Sequence, residues 1–174
     1  MIEVKVDAVQ VSIVSAHRIV VLREVDGERY LPIWIGPCEA EAIMVGAKGI
    51  DILRPLTHDL IVDIFAALGG ELRYIYVNDL SENTFYARLV VSVGDAEIEI
   101  DSRPSDAIAI AVRVGVPIYV AEEVMDAASV VPEDDLQEKM MGDKSEGLNV
   151  FRDFLSSLNM DEPVSYTHLT LPTN

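Results

Sequence analysis

The segment that most constrains this chain runs from Asp101 to Val120, D-S-R-P-S-D-A-I-A-I-A-V-R-V-G-V-P-I-Y-V. A strand ends at Asp101, and Pro104 biases Arg103 away from helical backbone, so Arg103-Pro104 forms a stiff corner. Ser105 reads as the N-cap of the helix that follows. Asp106 falls in its first turn, where unpaired N–H groups and the helix dipole favour a carboxylate. The helix runs from Asp106 to about Val114 and stops at Gly115, and Pro117 to Val120 is a short apolar strand. Ile108, Ala109, Ala111 and Val112 leave little room for a polar face, so the helix is expected to be mostly buried. Its polar groups, Asp101, Ser102, Arg103, Ser105 and Asp106, gather at one end. A functional site is expected there.

The same grammar occurs earlier in the chain. Arg54-Pro55-Leu56-Thr57-His58-Asp59 opens a helix expected over His58 to Leu68, with Thr57 as its cap and Gly69-Gly70 as its stop. Leu60, Ile61, Ile64, Phe65 and Leu68 give that helix one apolar stripe. A third helix, Glu39 to Lys48, follows the break at Gly36-Pro37 and carries Glu39 and Glu41 in its first turn. Three strand-to-helix corners thus bring carboxylates, arginines and a histidine to three helix starts, which are expected to converge on one edge of a sheet.

The remaining elements read as β. Ile2, Val4 and Val6 alternate with charged residues, Ile19 to Leu22 is apolar enough to be covered on both faces, and Asp26-Gly27 marks a hairpin turn. Tyr30 to Ile35 returns as a strand in which Pro32 indicates an edge or bulge. Glu71 to Leu80, Thr84 to Val93 and Ala96 to Asp101 form a three-stranded meander. The expected fold is therefore α+β: a mostly antiparallel sheet, made of an N-terminal hairpin plus this meander, with three to four packed helices in one compact domain over residues 1–128.

After that domain the character changes. Between Glu122 and Glu146 nine acids face two lysines, which reads as a short helix followed by an acidic linker at 129–147. Leu148 to Leu158 regains helical periodicity, giving a C-terminal helix within 148–163. The last stretch, V-S-Y-T-H-L-T-L-P-T-N at 164–174, has neither the composition nor the patterning of the rest and reads as a non-native tail.

Composition limits the function classes. Half the 174 residues are apolar, which excludes general disorder. No apolar run reaches the roughly 18 residues of a membrane span, and no signal-peptide pattern opens the chain. The single cysteine, Cys38, excludes an internal disulfide and points to a reducing, cytoplasmic setting. Thirty acids against 13 basic residues give a formal charge of −17. That argues against high-affinity non-specific DNA binding, which draws on Lys and Arg against phosphate. It leaves open action on nucleic acid through a divalent cation or a local basic patch.

Three motifs in order, L-P-I-W-I-G-P-C-E-A-E-A-I (Leu31 to Ile43), R-P-L-T-H-D-L (Arg54 to Leu60) and S-R-P-S-D-A-I-A-I-A-V-R (Ser102 to Arg113) followed by P-I-Y-V, resemble the bifunctional nuclease domain family. The resemblance covers about Met1 to Met125. It implies a small α+β domain, a nuclease acting on both DNA and RNA, and a homodimer.

Phosphodiester hydrolysis needs an activated water, stabilisation of the charge on phosphorus, and help for the leaving oxygen. On this reading Asp59 and Asp106, with Glu39, hold Mg²⁺ or Mn²⁺ or a water, and His58 moves protons. Arg103 steadies the phosphate, while Arg54 and Ser105 bind substrate. Each residue also has an ordinary role open to it. Asp59, Asp106, Glu39 and Glu41 suit helix N-termini, Arg54 and Arg103 suit corner ion pairs, and His58 suits a solvated first turn. Cys38 reads as a packed thiol and Trp34 as a core or interface residue. Two rival readings stand beside the nuclease. One is a non-enzymatic acidic module that binds a protein partner; the other is a sensor whose Arg-Pro corners grip a small anion.

Overall fold

A computed structural model describes residues 1–11, 18–50 and 52–131. Of the linker expected over 129–147 only residues 129–131 are described; the rest of it, the C-terminal helix and the tail, residues 132–174, lie outside the described residues. Seven strands and four helices follow one another as β1 (Ile2–Val11), β2 (Arg18–Glu24), β3 (Tyr30–Ile35), α1 (Pro37–Ala47), α2 (Thr57–Ala67), β4 (Gly70–Ser81), β5 (Thr84–Val93), β6 (Ala96–Ser102), α3 (Pro104–Val114), β7 (Ile118–Val120) and α4 (Glu122–Ala128).

The class is α+β, but the sheet is not simply a hairpin plus a meander. All seven strands join one mixed sheet in the order β3-β2-β1-β7-β4-β5-β6. The N-terminal strands form an antiparallel trio, not a pair, and β4-β5-β6 form a second. Strand β7 joins the two, antiparallel to β1 and parallel to β4. Ile118 pairs with Val4 on one side and Ile75 on the other, so a three-residue strand closes the centre of the sheet. Periodicity does not disclose this, because three residues are too few for a period of two to stand out. Pro32 lies on the edge strand β3, where its missing N–H costs no ladder bond.

Helix α3 is the hub. Residues Ala107, Ile108, Ala109, Ile110 and Ala111 are all buried, because β4 and β5 cover part of the helix while α1 and α2 cover the rest. Small side chains make this possible. On α1, Gly46 sits so close to α3 that an added Cβ would lie 2.8 Å from Val112 Cγ2. Gly115, at φ 78°, ends α3 in the left-handed conformation that glycine adopts without strain.

The helix starts differ from expectation by one or two residues. Helix α3 begins at Pro104 with Arg103 as its N-cap, so Ser105 is an interior residue and not the cap. Proline at the first helical position has φ already set and lacks only an N–H that would be unpaired there anyway. Likewise α2 begins at Thr57, and Leu56 is its N-cap. The stripe expected on α2 is split: Ile61 and Phe65 pack on the core, whereas Leu60, Ile64 and Leu68 face outward. No residue of α2 is fully buried. After α4, Val130 exchanges two backbone hydrogen bonds with Tyr30, each 2.8 Å.

Candidate functional site

Two corners, β6 to α3 and β3 to α1, bring Arg103 and Glu39 together. The Arg103 guanidinium donates from Nε to Asp106 Oδ2 at 2.7 Å and from Nη2 to Asp106 Oδ1 at 3.1 Å. Its Nη1 lies 2.9 Å from Glu39 Oε1. Because Arg103 and Asp106 are an i,i+3 pair across the helix start, the fork geometry is local to the R-P-S-D motif. The side chain of Arg103 is 65% exposed, so its guanidinium can meet a ligand from solvent.

The third helix start reaches the same carboxylate. His58 Nε2 is 3.1 Å from Asp106 Oδ1, and the imidazole is only 12% exposed. Glu39, Arg103, Asp106 and His58 therefore form one connected row contributed by α1, the β6–α3 corner and α2. Burial pushes the Asp106 carboxyl up, but the hydrogen bonds from Arg103 and His58 outweigh it and hold it below the ordinary 3.8. Asp106 is thus ionised at neutral pH. An ionised Asp106 keeps the imidazole proton on Nε2 and leaves Nδ1 as the basic nitrogen.

Asp59 is oriented differently. Its Oδ1 accepts from Arg113 Nε at 2.6 Å, and its Oδ2 accepts from the Leu56 backbone amide at 2.8 Å, which satisfies one of the free N–H groups at the start of α2. Burial pushes its carboxyl up, yet the Leu56 amide and Arg113 bring it below the ordinary value. The set Asp59, Asp106 and Glu39, expected to hold a divalent metal, is therefore not assembled as a cage: both Asp59 oxygens are committed, and the other two carboxylates share one guanidinium. Among the described residues no three or more His, Cys, Asp or Glu side chains are grouped to hold a metal ion.

The other expected residues scatter. Arg54 is exposed and joins no ion pair among the described residues. Ser105 is 6% exposed, too deep in the first turn of α3 to meet substrate from solvent. Glu41 is exposed on α1. Cys38, expected as a packed thiol, is exposed, as is Pro37 beside it at the start of α1. Trp34 is 44% exposed on the edge strand β3.

Arg113 is the residue that the sequence reading did not single out. Only 7% exposed, it donates to Asp59, to Ala42 O at 2.9 Å and to Ala109 O at 2.6 Å. Its signal was available: a cation seven positions after Asp106 shares a stripe with it on an otherwise apolar helix.

A family model described as the bifunctional nuclease domain matches residues 20–133, which include all four members of the row. An uncharacterized protein of Mycobacterium tuberculosis is 44% identical over 161 residues, covering 92% of this chain and 96% of that protein. Bifunctional nuclease 2 of Arabidopsis thaliana is 35% identical over 110 residues, 61% of this chain and 33% of the plant protein. Bifunctional nuclease 1 of Oryza sativa subsp. indica is 30% identical over 114 residues, 63% of this chain and 34% of the rice protein. The chain thus spans about a third of the plant proteins and nearly all of the mycobacterial one. No helix among the described residues is long and apolar enough to cross a membrane.

Proposed function

The chain belongs to the bifunctional nuclease domain family, and from that premise we propose that it is a nuclease that hydrolyses phosphodiester bonds in DNA and RNA. One observation carries the reading: Asp106 links an exposed arginine fork to an imidazole held by its Nε2. Arginine matches phosphate through two parallel N–H bonds, so Arg103 is the group that meets the scissile phosphate and offsets the charge that grows there. In doing so it leaves the carboxylates of Asp106 and Glu39. His58, oriented by Asp106, takes a proton from the attacking water at Nδ1. Asp106 stabilises the imidazolium that results, the role of a carboxylate behind a histidine base. Asp59 is assigned to anchoring α2.

Local geometry answers the objection from charge. The site relies on one arginine at a fixed corner, not on a basic surface, so binding is expected to be weak and turnover to depend on positioning. Assistance by Mg²⁺ or Mn²⁺ belongs to the same proposal, and cleavage with each ion against cleavage in EDTA tests it.

The test is cleavage of fluorescent single- and double-stranded DNA and RNA, with Mg²⁺, Mn²⁺ or EDTA, by the purified protein beside Arg103→Ala, His58→Gln and Asp106→Asn. Cleavage that follows the wild type and falls at least tenfold in each folded variant is the expected result. Equal cleavage by all four proteins refutes the site. Absence of cleavage in every condition favours the acidic interaction module. The outward row Leu56, Leu60, Ile64 and Leu68 beside the site favours that second reading, and it is also the face offered to a second copy in the proposed homodimer.

A further inference from the structure

Helix α2 brings His58 to the row, yet it has little holding it there. None of its residues is fully buried, and only Ile61, Val62 and Phe65 are partly covered by the core. Its first turn is instead tied to α3 at two points seven residues apart, His58 on Asp106 and Asp59 on Arg113. Seven residues are two turns, about 10 Å along the axis, so the two ties fix the rotation of α2 as well as its distance from α3. Losing one would leave a single pivot.

Arg113 is built for this. Its side chain crosses the point where three helices meet: Nε reaches Asp59 on α2, and Nη1 bridges Ala42 O on α1 to Ala109 O on α3 itself. Gly46 makes the space, since a Cβ there would lie 2.8 Å from Nη1 and 3.1 Å from Arg113 Cγ. Nη2 is buried without a hydrogen-bond partner among the described residues. A buried guanidinium is a poor device for stability alone, because apolar side chains of similar volume commonly hold helices at least as well. What an apolar residue lacks is a directional bond to Asp59.

We infer that Arg113 is a positioning residue: through Asp59 it seats the start of α2 so that His58 Nε2 meets Asp106 Oδ1. Arg113 is 7% exposed and faces away from solvent, so it touches no substrate. The inference rests on the nuclease reading only for its kinetic readout; the imidazole itself supplies the other.

The experiment uses the full chain with ¹⁵N-labelled histidine, in wild type, Arg113→Lys and Asp59→Asn, with His58→Gln to identify the resonances. Lysine keeps the charge but presents a point in place of a fork. Asparagine retains an oxygen for the Leu56 amide but loses the ion pair. Wild type is expected to show one imidazole tautomer, protonated at Nε2. Both variants, folded by circular dichroism, are expected to lose that fixed signature, and kcat to fall about 10- to 100-fold, as for a misplacement near 1 Å, with KM unchanged. If Arg113→Lys fails to fold, Asp59→Asn decides. Folded variants that keep the single-tautomer signature overturn the inference, and so does a rise in KM at unchanged kcat. Where wild type cleaves nothing, the nuclease proposal fails while the ring resonances still decide the role of Arg113.

Discussion

The close approach of α1 to α3 makes Gly46→Ala an informative substitution. Alanine removes a helix-propensity penalty of at most about 1 kcal/mol, so on propensity alone the variant should be more stable. Packing opposes this. The new Cβ would sit 2.8 Å from Val112 Cγ2, a stiff branched side chain, and 2.8 Å from Arg113 Nη1, an atom already committed to two carbonyls. Neither neighbour can swing away, so the helices must separate. Overpacking of this kind costs about 1–3 kcal/mol, which leaves a net loss of up to about 2 kcal/mol. For a domain of this size the melting temperature should fall by up to about 8 °C, using roughly 2–4 °C per kcal/mol. Thermal unfolding followed by circular dichroism, with urea midpoints as a second measure, reads the effect. A variant more stable than wild type by the full propensity gain would refute the reasoning: it would mean that α1 and α3 yield at no cost and that the glycine is not there for contact.

Acid should loosen the same corner. Asp59 and Asp106 carry carboxyls held below the ordinary 3.8 despite burial, so the unfolded chain takes up those protons first. Their stabilisation is whole above 3.8 and is lost as pH falls through the depressed folded values; urea midpoints against pH should fall in that window, with a shallower acid limb in Asp106→Asn. Ile108→Ala, at a fully buried position of α3, should cost about 2–5 kcal/mol of unfolding free energy in urea, with the far-UV spectrum at low denaturant unchanged. Leu60→Lys with Ile64→Lys, at positions 52% and 45% exposed, should leave the melting temperature within a few degrees while converting dimer to monomer in light scattering. A dimer that survives the double replacement removes that face from the proposed assembly.

Much of the candidate site was legible in the sequence because it is built from local rules. Arg103-Pro104 fixes a corner, Asp106 follows in the first turn, and the fork between them closes within four residues. Glu39 and His58 are likewise set at helix starts by Gly36-Pro37 and by Arg54-Pro55, where backbone preference decides which residues stand at the positive end of a helix. The burial of α3 was also legible, since a helix with almost no polar residues between Asp106 and Arg113 has no face to give to water.

Other features depended on which elements pack together. Asp59 and Asp106 occupy matching places in their two motifs, yet Asp106 joins the arginine fork while Asp59 turns to Arg113. That difference is set by the crossing of α2 over α3 and by the space at Gly46, and neither leaves a periodic signal. Strand β7 likewise joins two antiparallel trios into one sheet through pairings with residues far apart in the chain. The sequence by itself determined the helix starts to within one or two residues, and the residue types that stand at them, because φ preferences and dipoles act over a few residues. Only the tertiary structure decided which of those carboxylates share a guanidinium, because that choice is made by side chains meeting across helices that local preference does not bring together.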